Sequence, residues 1–273
     1  MPKHTEQLGY VTIAQNSDTD YLKMAYAQAL SIKHTQVNNR YAVIVDAETH
    51  KQIQPKHLEV FDYVIELPLD LAQDQNWKLA NEWQVHGLTP FKETIKVEAD
   101  ILFTRSIDHW INAFRLRDIV LSLGCLDHQG NVATSRAYRK LFDKMDLPDV
   151  YTGLMYFRYT QTSTDFFRLA RKLFEHLPDP TTDLVYAQAA KILGPEKCTL
   201  PGCDFIKFVH MKPAINSWPE QDWTKSVLVE IDVPDIRINN QTQFNPVHYQ
   251  VNTFNLDEVI EQYERRRSIL AGH

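Results

Sequence analysis

Cysteine is scarce: Cys125, Cys198 and Cys203 are the three in a chain of 273 residues. An odd count excludes a self-contained disulfide framework, and Cys198 and Cys203 lie too far apart for a Cys-x-x-Cys zinc knuckle. A reducing, cytosolic setting is the expectation. Long apolar runs are missing as well. None approaches the roughly 20 residues that span a bilayer, and the opening MPKHTEQLG lacks a signal-peptide core. The chain is expected to be soluble and cytoplasmic, with no membrane partner. Positive charge is in short supply: 29 Lys and Arg stand against 35 Asp and Glu, for a net charge of -6. This speaks against a surface coated in nucleic acid, because phosphate binding needs basic ground. It leaves room for a local basic groove. The densest basic runs, RAYRKLFDK (Arg136 to Lys144) and ERRRS (Glu264 to Ser268), read as solvated helix faces or as such a groove. No internal repeat, low-complexity tract or linker interrupts the chain.

What is present suits one large domain with a full core: 44% of residues are hydrophobic and 23% charged. YVTIAQN (Tyr10 to Asn16) is a β-rich run. A helix follows, with Ser17 and Asp20 as a capping-box-like start and Tyr21, Ala25, Ala29 and Ile32 at helical spacing. RYAVIVD (Arg40 to Asp46) is apolar enough to be buried on both faces, and FDYVIELP (Phe61 to Pro68) is a third strand. Strand, helix, strand in that order predicts parallel pairing, and such sheets bind ligands at the carboxyl ends of their strands. Further on, WKLANEWQVHG reads as helix and TIKVEADILF as one strand. SIDHWINAF is a serine-capped helix, DIVLSLG a strand, and a helix is expected around Tyr138 to Phe142. VYTGLMYFRYT is a strand, followed by helices in STDFFRLARKLFEHLP and TTDLVYAQAAKILGP, the latter capped by Thr181 or Thr182. FIKFVHMKP and SVLVEIDVP read as late strands and LDEVIEQYERRRSIL as a terminal helix.

One stretch carries a chemical question. KVEADILF (Lys96 to Phe103) looks like a buried strand, yet holds Glu98 and Asp100 with only Ala99 between them. Residues two apart on a regular strand share a face, and two like charges there drive one carboxylate to protonate unless a partner intervenes. A divalent cation is such a partner, and hard oxygen ligands suit magnesium or manganese. A strand end at the surface with both acids solvated is the plainer alternative. Far away in sequence, FVHMKP places His210 and Lys212 just after another strand. An imidazole beside carboxylates favours manganese, and a lysine two residues on can neutralise a phosphate as a point charge.

The order and spacing of these stretches resemble the glycogenin and bacterial galactosyltransferase group of retaining, metal-dependent glycosyltransferases with the GT-A fold. TIAQNSDTDYLKMAYAQALSIKHT is similar to the family's opening strand and helix, with Asn16, Tyr21 and Ser31-Ile32 in matching places. EADILF resembles its Asp-x-Asp metal motif, with Glu98 in place of the first aspartate. HMKP is similar to its histidine before Lys-Pro-Trp, with Ala214 in place of tryptophan and no glycine-containing spacer. YTGLMYF resembles its Asn-Ser-Gly strand, with Thr152 and Gly153 matched and Tyr151 in place of asparagine. TTDLVYAQ resembles its Asp-Gln helix start, with Asp183 matched and Leu184 in place of glutamine. The chain also resembles small glycosyltransferase-type proteins encoded by large DNA phages, around TPFKETIKVEAD and RSIDHW; for those the setting is the host cell cytoplasm.

The resemblance implies an α/β fold: a GT-A, Rossmann-like, mostly parallel sheet flanked by helices. Residues 1–213 form the nucleotide-sugar-binding catalytic core, and 214–273 a C-terminal extension packed on it. It implies that Ala14, Gln15 and Asn16 frame the base of a nucleotide-sugar donor, UDP-linked, and that Tyr21 stacks on the base or touches the ribose. Asp46 accepts from base or ribose. Glu98, Asp100 and His210 hold Mn2+ or Mg2+ against the diphosphate, Lys212 touches a phosphate oxygen, and Lys96, Thr152 and Gly153 lie along the donor. Asp183 and Asp100 are the implied catalytic residues, with Asp183 stabilising or orienting the sugar. The phage resemblance implies 5-hydroxymethylcytosine in DNA as the leading candidate acceptor, with Arg136, Arg139 and Lys140 as candidate contacts and Trp218 and Trp223 available to stack on a flipped base. A saccharide or protein acceptor, or a degenerate nucleotide-binding protein, are the competing expectations. The sugar, its acceptor and the oligomeric state are not readable from the chain.

Overall fold

The structure, a computed structural model, describes residues 6–73, 78–124, 126–128, 130, 139–200, 209–210, 228–249 and 255–270, with backbone alone at 6, 209 and 210. In chain order the strands are β1 (Glu6–Ile13), β2 (Tyr41–Val45), β3 (Tyr63–Glu66), β4 (Phe91–Val97), β5 (Ile101–Leu102), β6 (Ile119–Leu123), β7 (Leu126–Asp127), β8 (Val150–Arg158), β9 (Val209–His210), β10 (Val229–Asp232), β11 (Asp235–Ile238), β12 (Gln241–Thr242) and β13 (Val247–His248). The helices are α1 (Tyr21–Thr35), α2 (Ala47–His50), α3 (Pro55–Leu58), α4 (Val85–Leu88), α5 (Asp108–Phe114), α6 (Lys140–Met145), α7 (Gln161–His176), α8 (Thr182–Leu193), α9 (Pro195–Cys198) and α10 (Leu256–Leu270). A 3-10 helix covers Leu79–Gln84.

The main sheet has the order β3-β2-β1-β4-β8-β6. β3, β2, β1 and β4 run parallel, while β8 is antiparallel to both neighbours. Every residue of β2 is buried, as a strand covered on both faces requires. Alternate residues of β1 feed opposite cores. Tyr10 joins Tyr41, Ile95, Ala25, Ala29 and Phe114 on the α1 side. Val11 joins Ala42, Ile44, Met155, Phe166, Ala170 and Val185 on the α7–α8 side. The result is three layers, helices on both faces of a mostly parallel sheet. α10 lies over α1, tied by Lys23–Asp257 at 2.7 Å and by the Tyr26 hydroxyl donating to Glu264 at 2.9 Å. Among the described residues no helix is long and apolar enough to cross a membrane.

Local departures from expectation have identifiable causes. The cap of α1 is Asp20, not Ser17: its carboxylate accepts from Lys23 N–H at 3.0 Å. The segment read as one helix from Trp77 begins with a turn of 3-10 helix and becomes α4; Trp77 itself lies outside the described residues. TIKVEADILF is not one strand. The chain leaves the main sheet after Val97, turns through Glu98–Asp100, and re-enters a second small sheet of order β5-β13-β9-β7. Buried Gln28 on α1 staples this break. Its amide donates to Glu98 C=O at 2.5 Å and Ile101 C=O at 3.0 Å, carbonyls that a continuous ladder would have served. β10 lies within SVLVEIDVP, the last strand that the sequence pattern predicts, and β11, β12 and β13 follow it.

Candidate metal centre and donor cleft

The turn after β4 sets the site at the carboxyl end of the parallel strands. Its first residue is still held by the sheet, Glu98 N–H donating to Gly153 C=O on β8 at 2.9 Å. Its last residue is held by the second sheet, where Asp100 C=O accepts from Tyr249 N–H at 3.0 Å. β5 pairs antiparallel with β13, His248 standing opposite Ile101. That pairing delivers a third side chain: His248 Nε2 lies 2.9 Å from an Asp100 carboxylate oxygen and 3.5 Å from one of Glu98. Ligand atoms of the three lie within 4.8 Å of one another.

The histidine that meets the carboxylates among the described residues is therefore His248, which the sequence reading did not select. The one available signal was a histidine enclosed by Val247 and Tyr249 in a short β-prone run. His210 has its backbone opposite His248 in the parallel β9–β13 ladder, and its side chain lies outside the described residues. Lys212 lies outside them too, as do Arg136, Trp218 and Trp223.

The donor set fits a hard or borderline divalent cation: two carboxylates and one imidazole converge on one point. The protein alone handles this charge poorly. Burial pushes the Glu98 carboxyl above its usual range, against the pull of His248 and Lys96, while Asp100 and Asp183 push the same way as burial. A cation at that point relieves the repulsion.

Around this centre the expected donor residues take specific places. Tyr21 opens α1 and is half-buried; burial first, then the charges of Asp100 and Glu98, raise its phenol pKa. Ala14 is buried at the end of β1, its N–H donating to Ile44 C=O at 2.8 Å. Buried Gln15 donates to Asp46 at 3.2 Å and accepts from Asn81 at 2.9 Å. Asp46 caps α2 through Thr49 N–H at 2.7 Å and has Lys78 at 3.5 Å. Burial works to raise its pKa, but Thr49, Gln15 and Lys78 outweigh it and hold the carboxyl below its ordinary value. Asn16 organises the loop, accepting from Leu22 N–H at 2.8 Å and donating to Gln52 at 2.8 Å.

Behind the carboxylates lies a buried charge cluster. Lys96 is 1% exposed and its ammonium sits 2.6 Å from Glu82, which is 12% exposed. Burial opposes the lysine's charge, yet Glu82 and Glu98, with Asp183 behind them, raise its pKa. Asp183, in the first turn of α8, accepts from Thr152 N–H at 2.8 Å, from the Thr152 hydroxyl at 2.7 Å and from Arg139 at 3.1 Å. The expectation that Arg139 meets a DNA backbone does not fit its position. It is 1% exposed. Its guanidinium serves Asp183 and, at 2.6 Å, Val150 C=O, and lies 4.3 Å over the Phe142 ring. Lys140 is exposed.

β8 is bulged beside this cluster. Leu121 pairs with Met155 but the next residue, Ser122, pairs with Tyr151, and the Ser122 hydroxyl donates to Leu154 C=O at 2.7 Å. Bulges re-aim side chains next to functional sites. Here Thr152 serves Asp183, while the Tyr151 hydroxyl makes a short hydrogen bond to His248 Nδ1.

No protein-family model matches the sequence and no curated protein is significantly similar to it. Among solved structures the chain is similar to the galactosyltransferase LgtC, solved in complex with donor and acceptor sugar analogues, at 11% identity and a TM-score of 0.52, over 94% of this chain and 95% of that one. It is similar to mouse xyloside xylosyltransferase 1 in its apo form at 12% identity and a TM-score of 0.45, over 71% and 85% of the two chains. It is similar to the bifunctional glycosyltransferase WbbM at 9% identity and a TM-score of 0.46, covering 72% of this chain and 39% of WbbM, so that it spans about two fifths of that protein. The likeness to LgtC establishes the fold, an α/β architecture with a mixed, mostly parallel six-stranded sheet flanked by helices, that of GT-A glycosyltransferases.

Proposed function

We propose that the chain is a metal-dependent glycosyltransferase moving a sugar from a nucleotide-sugar, UDP-linked, to a hydroxyl acceptor with retention of configuration. The observation that carries this reading is the convergence of Glu98, Asp100 and His248 at the carboxyl end of β4, beside Tyr21, in a GT-A fold. Mn2+ or Mg2+ held there supplies Lewis-acid stabilisation of the charge developing on the departing nucleoside diphosphate.

The chain's own residues do the rest. Tyr21 stacks on the base or meets the ribose. The Gln15–Asp46–Lys78 network keeps the base end of the cleft rigid, with Ala14 and Asn16 as its wall. Asp183 fixes Thr152, with Gly153 beside it, along the sugar and keeps a negative charge near the reacting carbon. Lys96 offsets part of the negative charge of the acidic floor. His210 and Lys212 stay assigned, by resemblance, to the metal and a phosphate. Residues 1–213 act as the catalytic core, and the segment 214–273 contributes His248 to it.

Of the acceptor classes, a saccharide or protein hydroxyl accords better with the described residues than hydroxymethylated DNA. Arg139, central to the basic run invoked for DNA, is spent inside the fold. The net charge of -6 points the same way.

Calorimetry with UDP, with and without Mn2+, tests the transferase reading: binding is expected only with the metal. Metal-independent binding, or none, sinks it and leaves a nucleotide-binding or scaffold protein. Mass spectrometry with a panel of nucleotide-sugars then separates the acceptors, set against saccharides and an oligonucleotide carrying 5-hydroxymethylcytosine. Mass added to the oligonucleotide alone would reverse the preference between the two acceptor classes.

A further inference from the structure

A histidine that binds a metal through one ring nitrogen needs a partner at the other. The partner fixes the ring's orientation and decides which nitrogen carries the proton. Among the described residues that partner is a phenol. Tyr151, at the bulge of β8, places its hydroxyl in a short hydrogen bond with His248 Nδ1, with the rings tilted at 49° and centroids 5.8 Å apart. Nε2 of the same ring faces Asp100 and Glu98. The imidazole is buried, 1% exposed, so it has little freedom to turn.

We propose that Tyr151 is the positioning residue of the metal centre, a role that rests on the reading of Glu98, Asp100 and His248 as metal ligands. The chemistry of the hydroxyl matters. A carboxylate at Nδ1 only accepts, and would hold the proton on Nδ1 permanently. A phenol donates or accepts. In the structure the Tyr151 hydroxyl meets Nδ1 while Nε2 faces the Asp100 and Glu98 carboxylates. A cation held at Nε2 would leave the ring's proton on Nδ1, where Tyr151 Oη would accept it. In either role Nδ1 stays hydrogen-bonded, so the ring nitrogen that faces away from the carboxylates is not stranded. Successive strand residues face opposite ways, so Thr152 meets Asp183 while its neighbour Tyr151, beside the bulge, meets His248 on β13.

Three proteins decide it: wild type, Tyr151→Phe and His248→Ala, each titrated with Mn2+ alone, the free ion counted by electron paramagnetic resonance. Tyr151→Phe keeps the ring and loses the oxygen. It is expected to bind Mn2+ about 10–100-fold more weakly while melting, in EDTA, within about 2 °C of wild type (roughly 1 kcal/mol for a chain this size). Loaded with zinc as a diamagnetic probe, wild type is expected to show a slowly exchanging His248 Nδ1–H proton in its spectrum, and Tyr151→Phe to lack it. That signature reports the hydrogen bond itself and would not follow a general loosening of the fold. Equal Mn2+ affinity in wild type and Tyr151→Phe, with affinity lost in His248→Ala, overturns the role of Tyr151 and leaves the metal centre standing. Undiminished affinity in His248→Ala overturns both.

Discussion

Replacing Lys96 by methionine tests whether the floor of the site is the dry ionic cluster its geometry describes. Methionine nearly conserves volume, so packing around β4 changes little. What is lost is the cation. Glu82, 12% exposed, sat 2.6 Å from it and keeps its charge in place with no ammonium to meet it. Glu98 and Asp183, whose charges Lys96 also feels, lose the same counterweight. Removing one partner of a buried pair costs about 3–5 kcal/mol, because the survivor's charge stays desolvated. Unfolding entropy of roughly 2.1 cal/mol/K per residue over 273 residues gives about 0.57 kcal/mol/K. The melting midpoint is then expected to fall by about 5–9 °C, read by circular dichroism at neutral pH in EDTA. The double variant Lys96→Met/Glu82→Gln, with no stranded charge at either position, is expected to recover at least half of that loss. A single variant melting within about 2 °C of wild type would refute the reasoning, since that is less than half the smallest shift a buried pair implies. So would a double variant no more stable than the single one.

Other expectations follow from the same geometry. Asp100→Ala should abolish Mn2+ binding and turnover with the melting midpoint held within about 2 °C, because a half-buried ligand on a turn is not a packing residue; Mn2+ affinity equal to wild type ends the metal assignment. Asp62, with its side chain 13% exposed, meets Lys33 and Arg40 at 2.5 Å each and accepts from Tyr41 N–H at 2.8 Å. Burial works to raise its pKa, and these partners bring it below the ordinary value. A depressed carboxylate contributes stability above its unfolded pKa of about 3.9 and loses it as pH falls through the folded one. The stability gap between wild type and Asp62→Asn, roughly 1.5–3 kcal/mol at pH 7, should hold to about pH 5 and then shrink. A gap unchanged in urea titrations down to pH 3 contradicts this. Gly9→Ala should lower the melting midpoint by about 2–5 °C, since a Cβ there meets Phe91 Cζ at 2.3 Å and the ring is fully buried; an unchanged midpoint shows the ring has somewhere to go.

Much of the fold was legible because its signals are local. β2 is apolar on both faces, and a strand like that has to sit inside a parallel sheet. α7 carries Phe166, Ala170 and Phe174 at helical spacing, and these residues are buried. Thr181 caps α8 by accepting from Leu184 N–H, as its position before an apolar periodic run foretold. Other features depended on distant partners. Nothing in KVEADILF shows that the strand breaks at Glu98, because the break is stabilised by Gln28, seventy residues earlier in the chain. In sequence Gln28 reads as an ordinary polar helix residue. Arg139 sits in a basic run that looks solvated, yet Asp183, Val150 and Phe142 draw it inside.

The sequence by itself determined the layered α/β framework, the acidic pair at the end of a central strand and the helix that carries Asp183. Those are consequences of hydrophobic period, capping chemistry and residue type, each decided within a few residues. Only the tertiary structure decided which histidine meets the acids. Glu98 and His248 are 150 residues apart, and β5 and β13 are two-residue strands with almost no periodicity to read. They pair in the second sheet that the chain enters after Val97 leaves the main one. That pairing, with the β8 bulge, assembles Glu98, Asp100, His248 and Tyr151 into one centre.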